Sequence, residues 1–152
     1  MSLLDSFLYE FSKEPFLIST DKSKLDIDLI HNYLSSQSYW AENIPRAVIE
    51  RSIQNSVVYG IYERDHQIGF ARVVTDFATY GYLADVFVLE AYRGQGLSKW
   101  LMDCIFNQTP EFQGFRKWSL ATADAHGLYE QYGFTALARP ERMMEKVNFT
   151  KY

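Results

Sequence analysis

A strand, a glycine-containing turn and an amphipathic helix follow one another between residues 83 and 105, and this order constrains the fold most. Residues 83–88 (LADVFV) form a short apolar run rich in β-branched and aromatic residues, which predicts a buried strand. In residues 93–96 (RGQG), two glycines in three positions allow the backbone N–H groups to turn toward one point.

The residues after this turn repeat with the period of a helix. The apolar positions that share one helical face are Leu97, Trp100, Leu101, Cys104 and Ile105. The first N–H groups of a helix have no partner within the helix, and its N-terminus carries a partial positive charge. Together the strand, the turn and the helix predict an anion site, with Arg93 adding a positive charge at its rim.

The remaining runs predict an α/β protein with a mixed sheet. Asp26 caps a first helix and Pro45 starts a second, which extends to about Gln54. The hairpin signal at residues 64–67 separates two of the predicted strands, and a short helix covers residues 128–132. The predicted strands are residues 16–19, 57–63, 68–75, 83–88, 117–121, 135–137 and 142–147, and residues 1–13 show no clear period.

Composition bounds the functional classes. At 152 residues we expect one domain spanning residues 1–152, and the net charge of −4 gives no reason to expect nucleic acid. The single cysteine excludes an intramolecular disulfide. No apolar run reaches membrane-spanning length and no secretory signal is visible, so we predict a cytoplasmic protein without a membrane partner. We also predict no bound metal.

Two segments resemble motifs of the GNAT superfamily of N-acetyltransferases. Residues 93–98 (RGQGLS) are similar to motif A, although Ser98 stands where glycine or alanine is common and Glu90 where proline is common. Residues 125–134 (AHGLYEQYGF) are similar to motif B. The order of predicted elements also resembles that of the family across nearly the whole chain. The resemblance implies a twisted, mostly antiparallel sheet, flanked by helices and splayed at its fourth predicted strand.

The resemblance also implies acetyl-CoA as the cofactor and assigns roles to residues. The motif A loop would hold the pyrophosphate through Arg93, Gly94, Gln95, Gly96, Leu97 and Ser98. Main-chain groups near Phe87 and Val88 would bond the pantetheine arm, freed by a bulge in the strand. Thr122 stands where many members use asparagine on that arm, and Tyr129 takes the position of the acid that protonates the leaving thiolate.

Other candidate residues surround this predicted cofactor site. Asp85 interrupts an apolar strand, so it is a candidate base, a ligand of the substrate amine or an anchor for a neighbouring loop. Tyr39 and Trp40 lie between two predicted helices, where they either fill the gap or line the acceptor site. We expect His126 to be a packed structural histidine rather than a base. Residues 26–55 and 76–79 would determine acceptor specificity.

We therefore predict an N-acetyltransferase that moves an acetyl group from acetyl-CoA to a primary amine by direct attack. A small cationic amine is the preferred acceptor, and exposed aromatic residues near the C-terminus could pair two subunits as a homodimer. One alternative is a non-catalytic acyl-CoA-binding regulatory module on the same fold. Another is an unrelated phosphate- or nucleotide-binding domain in which the RGQG sequence is coincidental.

Overall fold

The computed structural model describes residues 2–152, whose strands form one six-stranded sheet in the order β1 to β6. Strands β1 to β5 pair antiparallel, and β5 pairs with β6 in parallel. This arrangement confirms the mixed, mostly antiparallel sheet. The strands are β1 (Glu10–Lys13), β2 (Phe16–Ser19), β3 (Val57–Glu63), β4 (His66–Thr75), β5 (Tyr80–Val88) and β6 (Lys117–Leu120).

Helices cover both faces of the sheet. They are α1 (Leu3–Ser6), α2 (Ile27–Ser36), α3 (Arg46–Gln54), α4 (Leu97–Asn107) and α5 (His126–Glu130). The Asp26 side chain accepts a hydrogen bond from the Leu29 N–H at 3.0 Å, which confirms the predicted cap of α2. The apolar face of α4 packs on one side of the sheet, whereas α2 and α3 pack with Val58, Phe70 and Phe87 on the other. Within residues 2–152 no helix has the length and apolarity needed to cross a bilayer.

The sheet opens between β5 and β6. Their pairing ends at Leu83 and Leu120, yet β5 continues to Val88 alongside β4. The β4 register passes from Phe70 opposite Phe87 to Arg72 opposite Ala84, so Asp85 and Val86 together face one residue of β4 in a bulge. The splayed strand implied by the family resemblance is therefore present, and it is β5 in the order of the complete sheet.

The two predicted closing strands, residues 135–137 and 142–147, are absent. The segment instead makes one 3₁₀ turn at Pro140–Arg142 and stays exposed along its length. Pro140 at the start of that turn bends the chain and has no N–H to donate to a strand, and the outer edge of β6 stays unpaired among residues 2–152.

The sequence also fails to indicate β1, which lies within the stretch without clear period. This edge strand places only Phe11 partly in the core, so it lacks the alternation that identifies a strand. Other differences are small shifts of element ends. Strand β5 begins at Tyr80 rather than Leu83, and α5 begins at His126 rather than Leu128.

We expect Gly81→Ala to destabilise the closed part of the β5–β6 pair. A Cβ at Gly81 would lie 2.5 Å from Cζ3 of Trp118, so the indole must shift. The free energy of unfolding should fall by about 1–3 kcal/mol, the range for overpacking. Chemical denaturation tests this, with Gly114→Ala as the control because a Cβ there meets nothing within 4 Å. Equal stability of the two variants would contradict close packing of Trp118 on β5.

Candidate active site

The turn before α4 leaves its backbone open. Gly94 and Gly96 have φ angles of 81° and 80°, in the left-handed region that favours glycine. A Cβ on either residue would meet nothing within 4 Å, so the loop surface has room for a ligand. Gly96 directly precedes α4, and among residues 2–152 no side chain caps the first N–H groups of the helix. These groups can therefore bind an anion, as the sequence predicts.

A cavity of about 420 Å³ lies against this turn and the end of β5. Its lining includes most of the residues predicted to bind pyrophosphate. It also includes Lys99 and Leu128, which the sequence analysis did not identify. Gln95 lies outside the lining and its amide group donates to the Tyr92 carbonyl at 3.4 Å. The lining residues are Val88, Tyr92, Arg93, Gly94, Gly96, Leu97, Ser98, Lys99 and Leu128.

Arg93 lines the cavity, but two of its N–H groups are directed elsewhere. Its Nε–H donates to the Val88 carbonyl at 2.9 Å and its second guanidinium nitrogen donates to the Tyr33 hydroxyl at 3.0 Å. The Tyr33 ring stacks on Phe87 with their centroids 4.0 Å apart. Arg93 therefore links the end of β5 to α2, in addition to placing a positive charge near the loop.

The ladder between β4 and β5 exposes one amide at the open edge. Leu89 N–H donates to the Ile68 carbonyl at 2.9 Å, which makes Gly69 and Val88 a non-hydrogen-bonded pair. The Val88 N–H therefore points away from β4, toward the side where β6 no longer pairs. The alternation turns the Phe87 N–H toward β4, so Val88 is the better placed of the two residues predicted to bond pantetheine.

Tyr129 lies in α5 on the other side of this opening. Its side chain is buried, with 8% of its surface exposed. Within residues 2–152 its hydroxyl makes no hydrogen bond, so it is available to a ligand. Burial raises the pKa of Tyr129 to about 12, with further contributions from Tyr39 and Asp124 nearby. The phenol is therefore protonated throughout the physiological range.

Asp85 lies in the bulge with a φ angle of 55°, a conformation that non-glycine residues rarely adopt. One carboxylate oxygen accepts from Arg72 Nε at 2.8 Å, and the other accepts from Trp40 Nε1 at 2.9 Å. Arg72 also donates to the Ser56 hydroxyl at 3.1 Å. Asp85 thus joins β4, β5 and the loop between α2 and α3.

The loop between α2 and α3 crosses the opening in the sheet. Trp40 is bonded to Asp85 on β5, while the Tyr39 hydroxyl accepts from the Ala123 N–H, after β6, at 2.8 Å. The two rings meet edge to face with centroids 5.0 Å apart. Both remain exposed, so they border the opening instead of filling a gap between the helices.

The structure also places two other residues and one loop that the sequence analysis considered. The Thr122 hydroxyl accepts from the Ala125 N–H at 3.0 Å, so it organises the turn into α5. His126 is exposed, and the prediction of a packed histidine is wrong. The predicted specificity loop at residues 76–79 precedes β5, at the opposite end of that strand from Val88. Sequence reasoning also missed Arg72, Tyr33 and Asp124, because no motif marks contacts between distant segments.

The single cysteine has no role in this opening. Cys104 lies on the buried face of α4, and burial raises the pKa of its thiol to about 12. A thiol in that state is a poor nucleophile. Among residues 2–152, no group of three or more histidine, cysteine, aspartate or glutamate side chains is arranged to hold a metal ion.

Comparisons with known proteins agree with this geometry. The family model for the acetyltransferase (GNAT) domain matches residues 54–136, more than half of the 152-residue chain. A protein from Xanthomonas campestris pv. campestris, provisionally assigned as a GNAT acetyltransferase, is 49% identical with a TM-score of 0.84 over 87% of this chain and 92% of that one. A protein from Gibberella zeae, provisionally named an acetyltransferase, is 27% identical in an alignment 138 positions long, and the match covers 78% of this chain and 78% of that one.

A more distant structure shares the fold. A GNAT acetyltransferase from Elizabethkingia anophelis with acetyl-CoA bound has 19% identity and a TM-score of 0.57, covering 81% of this chain and 78% of that one. The family match excludes an unrelated phosphate-binding domain and confirms the resemblance seen in the sequence. The chain belongs to the GNAT family of acetyltransferases, which use acetyl-CoA as their acetyl donor.

Proposed function

We propose that this protein is an N-acetyltransferase that moves the acetyl group of acetyl-CoA to a primary amine of a small molecule. The observation that supports this most is the outward Val88 N–H on the splayed end of β5. It lies between the glycine turn before α4 and the hydroxyl of Tyr129, which has no hydrogen-bond partner within residues 2–152. Few ligands other than an extended molecule with phosphate groups would use the Val88 N–H, the loop and the tyrosine hydroxyl together.

The residues present fit acetyl-CoA. The open N–H groups at Gly96 and the start of α4 would hold its pyrophosphate, supported by Arg93 and Lys99 at the cavity wall. The Val88 N–H would pair with a pantetheine amide as a neighbouring strand would. Ser98 contributes a hydroxyl within the same lining. Acetyl-CoA would supply a thioester whose carbonyl carbon an amine can attack.

Tyr129 would act where the thiolate leaves. The acceptor attacks as a free amine, the new C–N bond forms, the C–S bond breaks with its electron pair on sulfur, and the amine loses a proton. A phenol of pKa about 12 cannot readily give up its proton outright to a thiolate whose conjugate thiol has a pKa of about 8.5. Tyr129 therefore donates a hydrogen bond to the sulfur and passes its proton only as it receives one from the amine.

Direct transfer is favoured over an acyl-enzyme route. An acyl-cysteine would require a reactive thiolate beside the thioester, but Cys104 is buried in the core with a raised pKa. We assign Tyr39 and Trp40 to the acceptor side of the opening, because their exposed rings border it. Aromatic ring faces attract alkylammonium groups, which suits a small amine.

Two further assignments accompany this function. We place the protein in the cytoplasm, because thiols stay reduced there and acetyl-CoA is available. We also propose a homodimer formed through the C-terminal segment, where apolar side chains are unusually exposed. These residues are Leu137, Met143, Met144, Val147, Phe149 and Tyr152, and Met144 is 93% exposed.

Binding of acetyl-CoA is the first test. We expect micromolar affinity by calorimetry, and Gly96→Leu should raise the Kd at least about tenfold by blocking the N–H groups. Gly133→Leu is a matched control, because Gly133 also has a positive φ and open surroundings but lies outside the loop. Absence of binding by folded wild-type protein would overturn the proposal.

Turnover separates an enzyme from the non-catalytic alternative. With the best amine of a panel, we expect Tyr129→Phe to lower kcat about 100-fold or more without changing the acetyl-CoA Kd. Because the pKa of Tyr129 is raised to about 12, its loss of a proton should cause no fall in kcat below about pH 11. Tyr132→Phe is the control, since that hydroxyl donates to the Lys99 carbonyl. Saturable binding without turnover on any amine would favour the regulatory module.

Sedimentation velocity tests the homodimer. We expect the sedimenting species of the wild type to have twice the mass of one chain, which is 17.7 kDa. A Met144→Lys, Phe149→Lys variant should be monomeric, because it places charges in the apolar contact. Leu8→Lys serves as the control at an exposed leucine near the other terminus. A wild-type monomer at all accessible concentrations would contradict the assignment.

A further inference from the structure

Asp85 is the only carboxylate of β5, and its surroundings differ from those of a free base. Its side chain is 13% exposed and both of its oxygens accept hydrogen bonds. Within residues 2–152 the one charged partner in contact with it is Arg72, and Trp40 is neutral. An amine would have to approach a carboxylate that two other side chains already engage.

Trp40 depends on this carboxylate for its position. The residue lies in the loop between α2 and α3, and its indole N–H makes its hydrogen bond to Asp85. The ring is 41% exposed, so packing alone fixes it weakly. Tyr39, the residue before Trp40, accepts a hydrogen bond through its hydroxyl from the Ala123 N–H on the far side of the opening. Asp85 and Ala123 are thus the two points that hold the loop across the splay.

Arg72 in turn fixes Asp85. Its guanidinium bonds both the carboxylate and the Ser56 hydroxyl, so the pair is anchored to the residue before β3. The bulge presents Asp85 from a backbone with a positive φ. A strained backbone conformation persists only where the surrounding structure holds the residue in it. Here that conformation directs the Asp85 side chain toward Trp40.

We infer that Asp85 is a positioning residue that holds the Trp40 ring as a wall of the acceptor site, and that it does not remove the proton of the amine. This rests on the proposed N-acetyltransferase function and decides among the three roles that the sequence left open, namely a base, a ligand of the substrate amine and an anchor for a neighbouring loop. The ring face of Trp40 then contacts the part of the acceptor next to its amine. Loss of Asp85 should weaken acceptor binding rather than slow the chemical step.

Kinetics of matched variants test this role. Asp85→Asn keeps an oxygen that can accept from Trp40, so kcat should fall less than about threefold and the acceptor KM should rise only modestly. Asp85→Ala and Trp40→Phe should each raise the acceptor KM about fivefold to tenfold, the value of one hydrogen bond, and the double variant should be no worse than either. Ser52→Ala is the control, because its hydroxyl donates to the Ile49 carbonyl within α3 and is not bonded to Asp85, Arg72 or Trp40.

A base predicts a different pattern. Asp85→Asn would then lower kcat by about 100-fold or more and remove the acidic limb of the pH profile, with the acceptor KM unchanged. That result would overturn the inference. If Asp85→Asn fails to fold because Arg72 loses its partner, the Asp85→Asn, Arg72→Gln variant removes both charges and makes the same distinction.

A spectroscopic readout does not depend on turnover. The indole N–H resonance of Trp40, assigned with Trp40→Phe, should shift and exchange faster with solvent in Asp85→Ala but not in Asp85→Asn. An unchanged resonance in Asp85→Ala would overturn the positioning role. Failure of the wild type to acetylate any amine, with the resonance shifting as expected, would instead count against the proposed function alone.

Discussion

The end of pairing between β5 and β6 is the constraint on which the candidate site depends. Beyond Leu83 and Leu120, β5 is held by β4 alone, so one edge of its last five residues is open. An open strand edge presents unpaired N–H and C=O groups, which need partners. The anion loop begins where this edge ends, and α5 carries Tyr129 to its other side. The candidate site is therefore a gap in the sheet, with unpaired backbone groups available to a ligand.

The protein satisfies part of that open edge itself. The Val88 carbonyl accepts a hydrogen bond from Arg93. The Val88 N–H is therefore the group that still points unpaired toward the opening. Arg93 also bonds Tyr33, whose ring stacks on Phe87 and ties α2 to β5. A buried backbone group without a partner is costly, and this single side chain removes one such group while leaving the useful donor free. Arg93 thus has a structural function besides its charge.

Local patterns in the sequence indicated the parts of the fold that local physics determines. The apolar period of α4, the cap at Asp26 and the glycines of the loop each depend on neighbours in sequence, and the structure contains all three. Strand β1 was not indicated, and the two strands predicted at residues 135–137 and 142–147 were wrong, because pairing with a distant strand is not a property of the local sequence. The partners of Asp85 could not be predicted either, since the bulge that directs it is set by the register with β4.

The charge within the opening bears on which form of the proposed amine acceptor it would hold. Asp85 is paired with Arg72, and Tyr129 stays protonated because burial raises its pKa. Asp124, whose charge helps to raise the pKa of Tyr129, is exposed to solvent. The two largely buried groups are thus paired or neutral, and burying an unpaired ammonium against them is unfavourable. The rings of Tyr39 and Trp40 can attract a cation at the exposed mouth. Deeper in the opening the free amine is favoured, and that is the form that attacks a thioester.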